Sequence, residues 1–339
     1  MTQSTRTSSV SWSTQFSSIG MSLRSTFNLN QNMRDSTIAL TLPDLNISIS
    51  RFFPFKRKHA AGKERWYEKI YMSYTGQISN SISTKEDKLM KSSLTKDWKN
   101  GMQHTIPISG SFTLFNYLNV NPTINFKDNM YTQKYKRHWD EATQREVIDT
   151  IQGFHNVYNY NFSVSASTTL YGFYIPSRKL FGNKIDRIRH VLTPSVSFNY
   201  TPDFSNKRYG FYDTYQKTDA NGNVTLVEYD QFQGTLWGGA GKGERGSISL
   251  DLKNNIEMKY RNRDDSLVKV SIIDNLGASM SYNMADKERP WSDLDTNIRL
   301  KLSKSYTFNL NARFATYAYE ADSVGARPYV DRKSTRLNS

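Results

Sequence analysis

Residues 266–284 read SLVKVSIIDNLGASMSYNM, and apolar and polar side chains alternate along this stretch for longer than in an ordinary soluble strand. A period of two belongs to a β-strand, with successive side chains on opposite faces. A strand with one apolar and one polar face is what the wall of a membrane-spanning β-barrel requires. One face would carry Val268, Val270, Ile272, Leu276, Ala278, Met280, Tyr282 and Met284, and the other Lys269, Ser271, Asn275, Gly277, Ser279, Ser281 and Asn283.

The composition excludes two other classes of chain. Hydrophobic residues make up 37% of the 339 residues, and no run approaches the roughly 20 apolar residues of a transmembrane helix. Disordered chains are poor in aromatic residues, whereas aromatic residues reach 13% here, with 21 Tyr and 18 Phe. Any membrane crossing must therefore use strands.

Alternation bounded by turn residues predicts about twelve strands along the chain. The fold class is all-β, an antiparallel up-and-down transmembrane β-barrel, partial and present as an open curved sheet. Long charged connections at 84–103, 134–154 and 203–245 would lie on the external side, because such barrels have short periplasmic turns. The predicted strands are 8–18, 20–30, 36–52, 65–83, 104–115, 117–133, 155–171, 190–202, 246–260, 266–284, 292–303 and 305–319.

The last two predicted strands separate their faces most cleanly. Their apolar parity would contact lipid and their polar parity would line the lumen. The lipid-facing candidates are Leu294, Ile298, Leu300, Leu302, Phe308 and Leu310. The lumen-facing candidates are Asn297, Arg299, Lys301, Asn309, Asn311 and Arg313.

Prolines stand in or beside several predicted strands. Proline donates no ladder hydrogen bond, so each proline predicts a bulge or a strand end. The alternative is a weakened pairing at which two neighbouring strands separate. The prolines are Pro43, Pro107, Pro122, Pro194 and Pro202.

Both termini suggest a fragment. No apolar signal segment follows Met1, although an outer-membrane protein must be exported, so we expect Met1 to be an internal methionine. Residues 331–339 read DRKSTRLNS, the translation of a common sequencing-library adapter. We therefore predict a partial outer-membrane β-barrel domain over residues 1–330 and a non-biological tail.

The sequence offers no pattern for catalysis, metal binding or a cofactor. The five histidines have no paired spacing, and there is no cysteine for a disulfide or thiolate site. The segment 238–243, GGAGKG, lacks the Ser or Thr of a phosphate-binding loop and is predicted to be a flexible external loop. Acids and a base at helical spacing predict a short loop helix over 139–146. The formal net charge of +14 is dispersed rather than concentrated, so nucleic acid is not an expected partner.

Five separated stretches carry a family resemblance; the longest is 188–204, IRHVLTPSVSFNYTPDF, and the others are 40–45, 62–69, 170–174 and 277–284. They resemble the lipopolysaccharide-assembly outer-membrane protein family LptD, in the form found in Bacteroidota. They occur in family order over most of residues 8–320. Within the longest stretch the matching residues are Arg189, His190, Pro194 and Pro202.

The resemblance implies an outer-membrane translocon component of Gram-negative cells that inserts lipopolysaccharide into the outer leaflet. It also implies three partners besides the outer membrane itself: lipopolysaccharide, an outer-membrane lipoprotein that plugs the barrel, and a periplasmic bridge protein that delivers lipopolysaccharide. No gate residue or lipid-contacting residue is carried over from the family.

Two alternatives stay open from the sequence. A passive porin or nutrient-receptor barrel would show the same periodicity. A surface β-sandwich adhesin would have shorter strands, and its apolar parity would face a second sheet.

Overall fold

The computed structural model describes residues 5–59, 62–177, 179, 182, 184–219, 222–301, 306–317, 319–322 and 325–328. The fold consists almost entirely of antiparallel strands. The strands are β1 Thr5–Phe16, β2 Met21–Asn32, β3 Thr37–Phe52, β4 Ile70–Lys85, β5 Lys99–Gly110, β6 Phe112–Leu114, β7 Leu118–Asp140, β8 Arg145–Ser167, β9 Leu170–Tyr174, β10 Ile185–Thr201, β11 Tyr212–Thr218, β12 Val224–Asp230, β13 Arg245–Arg261, β14 Leu267–Asn283, β15 Leu294–Lys301, β16 Thr307–Phe314, β17 Tyr319–Asp322 and β18 Gly325–Pro328.

Fourteen strands form one up-and-down sheet. Its hydrogen-bonded order is β1-β2-β3-β4-β5-β7-β8-β10-β13-β14-β15-β16, with β6 paired to β7 and β9 paired to β10. The strands along this path follow chain order, as expected for an up-and-down sheet, and β6, β9 and the β11-β12 hairpin are insertions between neighbours. The predicted up-and-down antiparallel fold is therefore confirmed. The hairpins β11-β12 and β17-β18 form two separate small sheets.

The chain divides into two compact units, and β7 and β8 contribute residues to both. The first unit contains β1 to β5, most of β7 and of β8, and the connection 202–244 with its β11-β12 hairpin. The second contains β6, β9, β10 and β13 to β18, together with the remaining parts of β7 and β8.

In the part of the chain that the structure describes, the named helices are short and lie in connections. The 3₁₀ helix Trp66–Lys69 precedes β4, and the single α-helical turn α1, Glu86–Leu89, follows it. Among the described residues no helix is long and apolar enough to cross a membrane.

The hairpin of β7 and β8 differs from the prediction. Residues 134–154 are not a long loop, because both strands run for 23 residues and meet at a four-residue turn, 141–144. The predicted loop helix over 139–146 is wrong for the same reason. Asp140 instead caps the turn, where its carboxylate accepts hydrogen bonds from Ala142 N at 3.0 Å and Thr143 Oγ1 at 2.7 Å.

Three of the five prolines mark irregularities in the ladders, as their missing N–H predicts. Pro107 does not, because it lies inside β5 and stays in register with Asn125 of β7. Pro43 lies at a register shift of β3 against both β2 and β4. Pro194 stays in register with Leu252 of β13, but its other side faces the interruption between β8 and β9. Pro202 follows the last residue of β10. These three prolines therefore occupy bulges, breaks or strand ends.

The apolar and polar residues of 266–284 alternate between the two faces of β14, with one irregular part in its pairing with β13. Leu276 and Ala278 face Asn254 and Leu252 of β13, and the register then shifts around Ile256. Ile273 and Asp274, which break the period of two in the sequence, lie in this irregular part of β14. Because the net shift is two residues, the apolar parity stays on one face.

Candidate functional site

A patch of small polar side chains covers one face of four neighbouring strands in the second unit. Directly opposed residues of an antiparallel pair share a face, so the register of the strand pairs defines the patch row by row. We call it the serine/asparagine patch; its three rows are Ser163–Asn199–Ser247–Asn283, Ser165–Ser197–Ser249–Ser281 and Ser167–Ser195–Asp251–Ser279.

The opposite face of the same strands is apolar. Its rows are Val164–Phe198–Ile248–Tyr282 and Ala166–Val196–Leu250–Met280. Val196 and Leu250 are 45% and 41% exposed, so protein does not cover them in this structure. A sheet with hydroxyl and amide groups on one face and exposed aliphatic groups on the other can border water and lipid at once.

The predicted residues of β15 and β16 divide in the same way. Ile298 faces Leu310 and Leu300 faces Phe308, whereas Asn297 faces Asn311 and Arg299 faces Asn309. Phe308 and Leu310 are 42% and 49% exposed. Leu294 shares the apolar parity with Ile298, and Leu302 lies outside the described residues. Contact of this face with lipid stays a prediction.

The polar face of β15 and β16 carries ion pairs between neighbouring strands. Arg299 Nε lies 2.8 Å from Asp274 Oδ2, and Arg313 Nε lies 2.7 Å from Asp295 Oδ1. Lys301 lies on the same parity and is exposed. These side chains are solvated, so the pairs contribute little to stability and keep the face hydrophilic.

The family-matching segment runs along β10. Arg189 forms an ion pair with Glu257 of β13, and His190 Nε2 lies 3.0 Å from Asn254 Oδ1. Lys269 Nζ lies 2.7 Å from Glu257 Oε1, so one carboxylate pairs with cations from two strands. Because Arg189 and His190 belong to opposite parities, the structure does not bring the four matching residues into one site.

In the first unit, the connection 202–244 folds back onto β7 and β8. Tyr131 and Val157 from the strands form a buried group, the loop cluster, with Phe204, Phe211, Phe232 and Ala240. Several hydrogen bonds fix the same contact: Tyr135 N donates to Gln231 O at 2.8 Å, and Lys134 Nζ donates to Gln231 Oε1 at 2.8 Å.

The glycine-rich segment 238–243 is part of this packed region. Gly239 N donates to Asp230 Oδ2 at 3.1 Å, Gly243 N donates to Asp203 Oδ1 at 2.8 Å, and Ala240 is 2% exposed. The segment is a loop, as predicted, and it packs against the neighbouring connection. The aromatic residues of 202–244 were the available signal, since disordered loops rarely carry so many.

Two carboxylates in this connection have opposite pKa shifts. Burial raises the pKa of Asp230, and its hydrogen bonds from Phe232 N and Gly239 N oppose that shift only in part. The hydroxyl of Ser205 and the amide of Gly243 lower the pKa of Asp203. Both groups hold the backbone of the connection, so we read them as structural.

A buried ion pair organises the connection between β3 and β4. Arg57 Nε and Nη2 lie 2.7 and 2.9 Å from the two carboxylate oxygens of Glu68, which is 1% exposed. Arg65 N also donates to Glu68 at 2.6 Å. These hydrogen bonds lower the pKa of Glu68 to about 2, and the hydrogen bond from the Arg57 side chain has the largest effect.

No group of His, Asp or Glu among the described residues is arranged to hold a metal ion. Long antiparallel strands that separate an exposed apolar face from a polar face are the strands of a transmembrane β-barrel wall. The sequence model of the LptD protein family matches residues 1–317. The chain therefore belongs to the LptD protein family, whose members serve lipopolysaccharide transport at the outer membrane. No curated protein matches the chain.

Proposed function

We propose that this chain is part of the outer-membrane translocon that inserts lipopolysaccharide into the outer leaflet. The single observation that carries the proposal is the family match over residues 1–317. The role is one of transport, with lipopolysaccharide as the cargo rather than the substrate of a reaction.

The serine/asparagine patch supports this role chemically. Lipopolysaccharide carries sugars and phosphates beside its acyl chains, so a passage for its headgroup needs donors and acceptors that exchange readily with water. Serine hydroxyls and asparagine amides supply both. Asp251 is the one ionised group among the twelve residues of the patch, so an anionic headgroup meets little repulsion there.

The exposed apolar rows support a membrane location. In a sandwich adhesin these rows would be buried against a second sheet, yet Val196, Leu250 and Leu310 are each more than two-fifths exposed. We propose that lipid covers them, with Leu294, Ile298, Leu300 and Phe308 on the same apolar face of β15 and β16.

The proposal includes two protein partners. A lipoprotein plug would occupy the lumen bordered by the polar faces, and a periplasmic bridge protein would deliver lipopolysaccharide to the barrel. Membership of the family supports both partners, and co-purification from cross-linked outer membranes would test them.

Conditional depletion tests the proposal. A host is depleted of its own copy of the gene while the full-length protein is supplied from a plasmid, and lipopolysaccharide at the cell surface is measured by antibody labelling of intact cells. We expect surface lipopolysaccharide to fall on depletion and to recover with the plasmid. Unchanged surface lipopolysaccharide, with altered uptake of small solutes, would instead indicate a porin.

A further inference from the structure

Three cations lie side by side across three strands of the second unit. Arg187 of β10 faces Lys259 of β13, and Lys259 faces Lys269 of β14. Directly opposed residues share a face with Cβ atoms about 5 Å apart, and like charges in that position destabilise a sheet. We call these three residues the cation row.

The adjacent acids neutralise only part of this charge. Glu257 accepts Lys269 Nζ at 2.7 Å and is also paired with Arg189, which adds a fourth cation. Asp186 lies 2.8 Å from Arg187 Nε. Four cations against these two carboxylates leave a local excess of two positive charges.

The cation row also borders an open groove with an aromatic wall. The groove has a volume of about 280 Å³ and is lined by the four cations, Glu257 and Phe173. Phe173 of β9 faces Arg189 and is 65% exposed. The side chains of Arg187 and Lys269 are 54% and 53% exposed, so their donors are available to a ligand.

The cation row lies on the same face as the serine/asparagine patch. Arg187 and Arg189 share their parity in β10 with Ser195, Ser197 and Asn199. Lys259 stands three residues before the turn 262–266 that joins β13 to β14, at the end of β13 opposite the long connection 202–244. Outer-membrane barrels carry their longer loops on the external side, so the turn 262–266 would lie at the periplasmic end, where a molecule arriving from the periplasm would enter.

We infer that the cation row is a binding site for the phosphate monoester group of an amphiphile, at the end of the polar face where transport begins. A phosphate dianion matches the excess of two charges, and guanidinium and ammonium groups bind phosphate by charge-assisted hydrogen bonds. The exposed ring of Phe173 offers an apolar contact beside the anion. The inference rests on the proposed function for its choice of a phosphorylated glycolipid.

The test uses the full-length protein purified in detergent. Its affinity is measured for a bisphosphorylated lipid A glycolipid and for the same glycolipid after phosphatase treatment. The main variant combines Arg187→Gln, Lys259→Gln and Lys269→Gln. The matched control is Lys253→Gln, because Lys253 lies on the same face of β13 but faces Thr193 and Gly277 instead of other cations.

We expect the unaltered protein and the Lys253→Gln variant to prefer the phosphorylated glycolipid. The triple variant should lose at least about tenfold in affinity for it, because several charge-assisted contacts disappear together. Affinity for the dephosphorylated glycolipid should be the same in all three. Equal affinity of the unaltered and triple-variant proteins for the phosphorylated glycolipid would overturn the inference.

Two further measurements keep the result interpretable. The single variant Lys259→Gln leaves the pairs of Glu257 and Asp186 intact, so it reports on binding if the triple variant does not fold. Inorganic phosphate is added as a competitor; displacement at concentrations equal to the glycolipid would assign the site to free phosphate and overturn the lipid assignment.

The depletion experiment separates this inference from the proposed function. If surface lipopolysaccharide depends on the protein but the substitutions in the cation row leave the affinity for the phosphorylated glycolipid unchanged, only the inference fails. If surface lipopolysaccharide does not depend on the protein, the proposed function fails.

Discussion

Tyr131 in β7 donates a hydrogen bond of 2.7 Å from its hydroxyl to the carbonyl oxygen of Gly238, a residue 107 positions further along the chain. The ring of Tyr131 is 2% exposed and lies 5.7 Å from Phe232 and 5.9 Å from Trp237 between ring centroids. One side chain thus links the strand to the connection 202–244 by packing and by a hydrogen bond.

Replacing Tyr131 with Phe tests the hydrogen bond alone. The ring stays, but the Gly238 carbonyl loses its donor, which should cost about 1 kcal/mol in the free energy of local opening. Hydrogen exchange of the Thr235 and Gly239 amides should accelerate about fivefold. Tyr171→Phe is the control, since the Tyr171 side chain is 62% exposed. Unchanged exchange in Tyr131→Phe would show that packing alone holds the connection.

Acid should loosen the connection between β3 and β4. The pKa of Glu68 is lowered to about 2, below the value of about 4.3 in an unfolded chain. Its contribution to stability is therefore fully present above pH 4.3 and is lost as the pH falls through about 2. Hydrogen exchange of the Arg57 and Arg65 amides, corrected for intrinsic rates, should rise over this range.

Two variants check that assignment. Glu68→Gln removes the titrating group and leaves Arg57 unpaired, so exchange should be fast at neutral pH and should lose its acid-dependent rise. Glu64→Gln alters an exposed acid in the same connection and should behave like the unaltered protein. A rise that persists in Glu68→Gln would assign the acid effect to another group.

The cation row should cost stability when no ligand is bound. Lys259→Gln removes the central charge of three, and we expect the free energy of unfolding in urea to increase by about 0.2–1 kcal/mol per relieved contact. Lys253→Gln, on the same strand and face, should leave it unchanged. A decrease for Lys259→Gln would mean that the lysine stem contributes more by packing than its charge costs.

Arginine substitutions at adjacent positions of β16 should separate its two faces. Leu310→Arg places a charge on the apolar face and should destabilise the folded barrel by about 2–4 kcal/mol if the residue lies near the bilayer midplane. Asn311→Arg alters the polar face and should be tolerated. The yield of folded protein in outer membranes, measured by heat-modifiable migration, compares them. Equal yields would contradict the predicted lipid contact of Leu310.

The strands and their two faces were predictable from the sequence because alternation is a local property of each segment. The pairing of Ile298 with Leu310 and of Asn297 with Asn311 follows once both strands are recognised. The cation row was not predictable in the same way. Arg187, Lys259 and Lys269 become neighbours only through the register of three strands, and the register shifts at Asp186 and around Ile256 conceal it.

The extended hairpin of β7 and β8 was missed because local and tertiary signals conflict there. Glu141 and Arg145 stand four residues apart, which is a helical spacing, but the strands continue up to the turn 141–144 from both sides. The connection 202–244 contacts this part of the hairpin, where Tyr135 N donates to Gln231 O and Arg137 N donates to the hydroxyl of Tyr229, and such long-range contacts leave no periodic signal in the sequence.

A strand of 23 residues measures about 78 Å, whereas about 9–11 tilted residues suffice to cross a bilayer. Roughly half of each strand of the β7-β8 hairpin therefore extends beyond the lipid. That surplus would hold the packed connection 202–244 clear of the membrane surface.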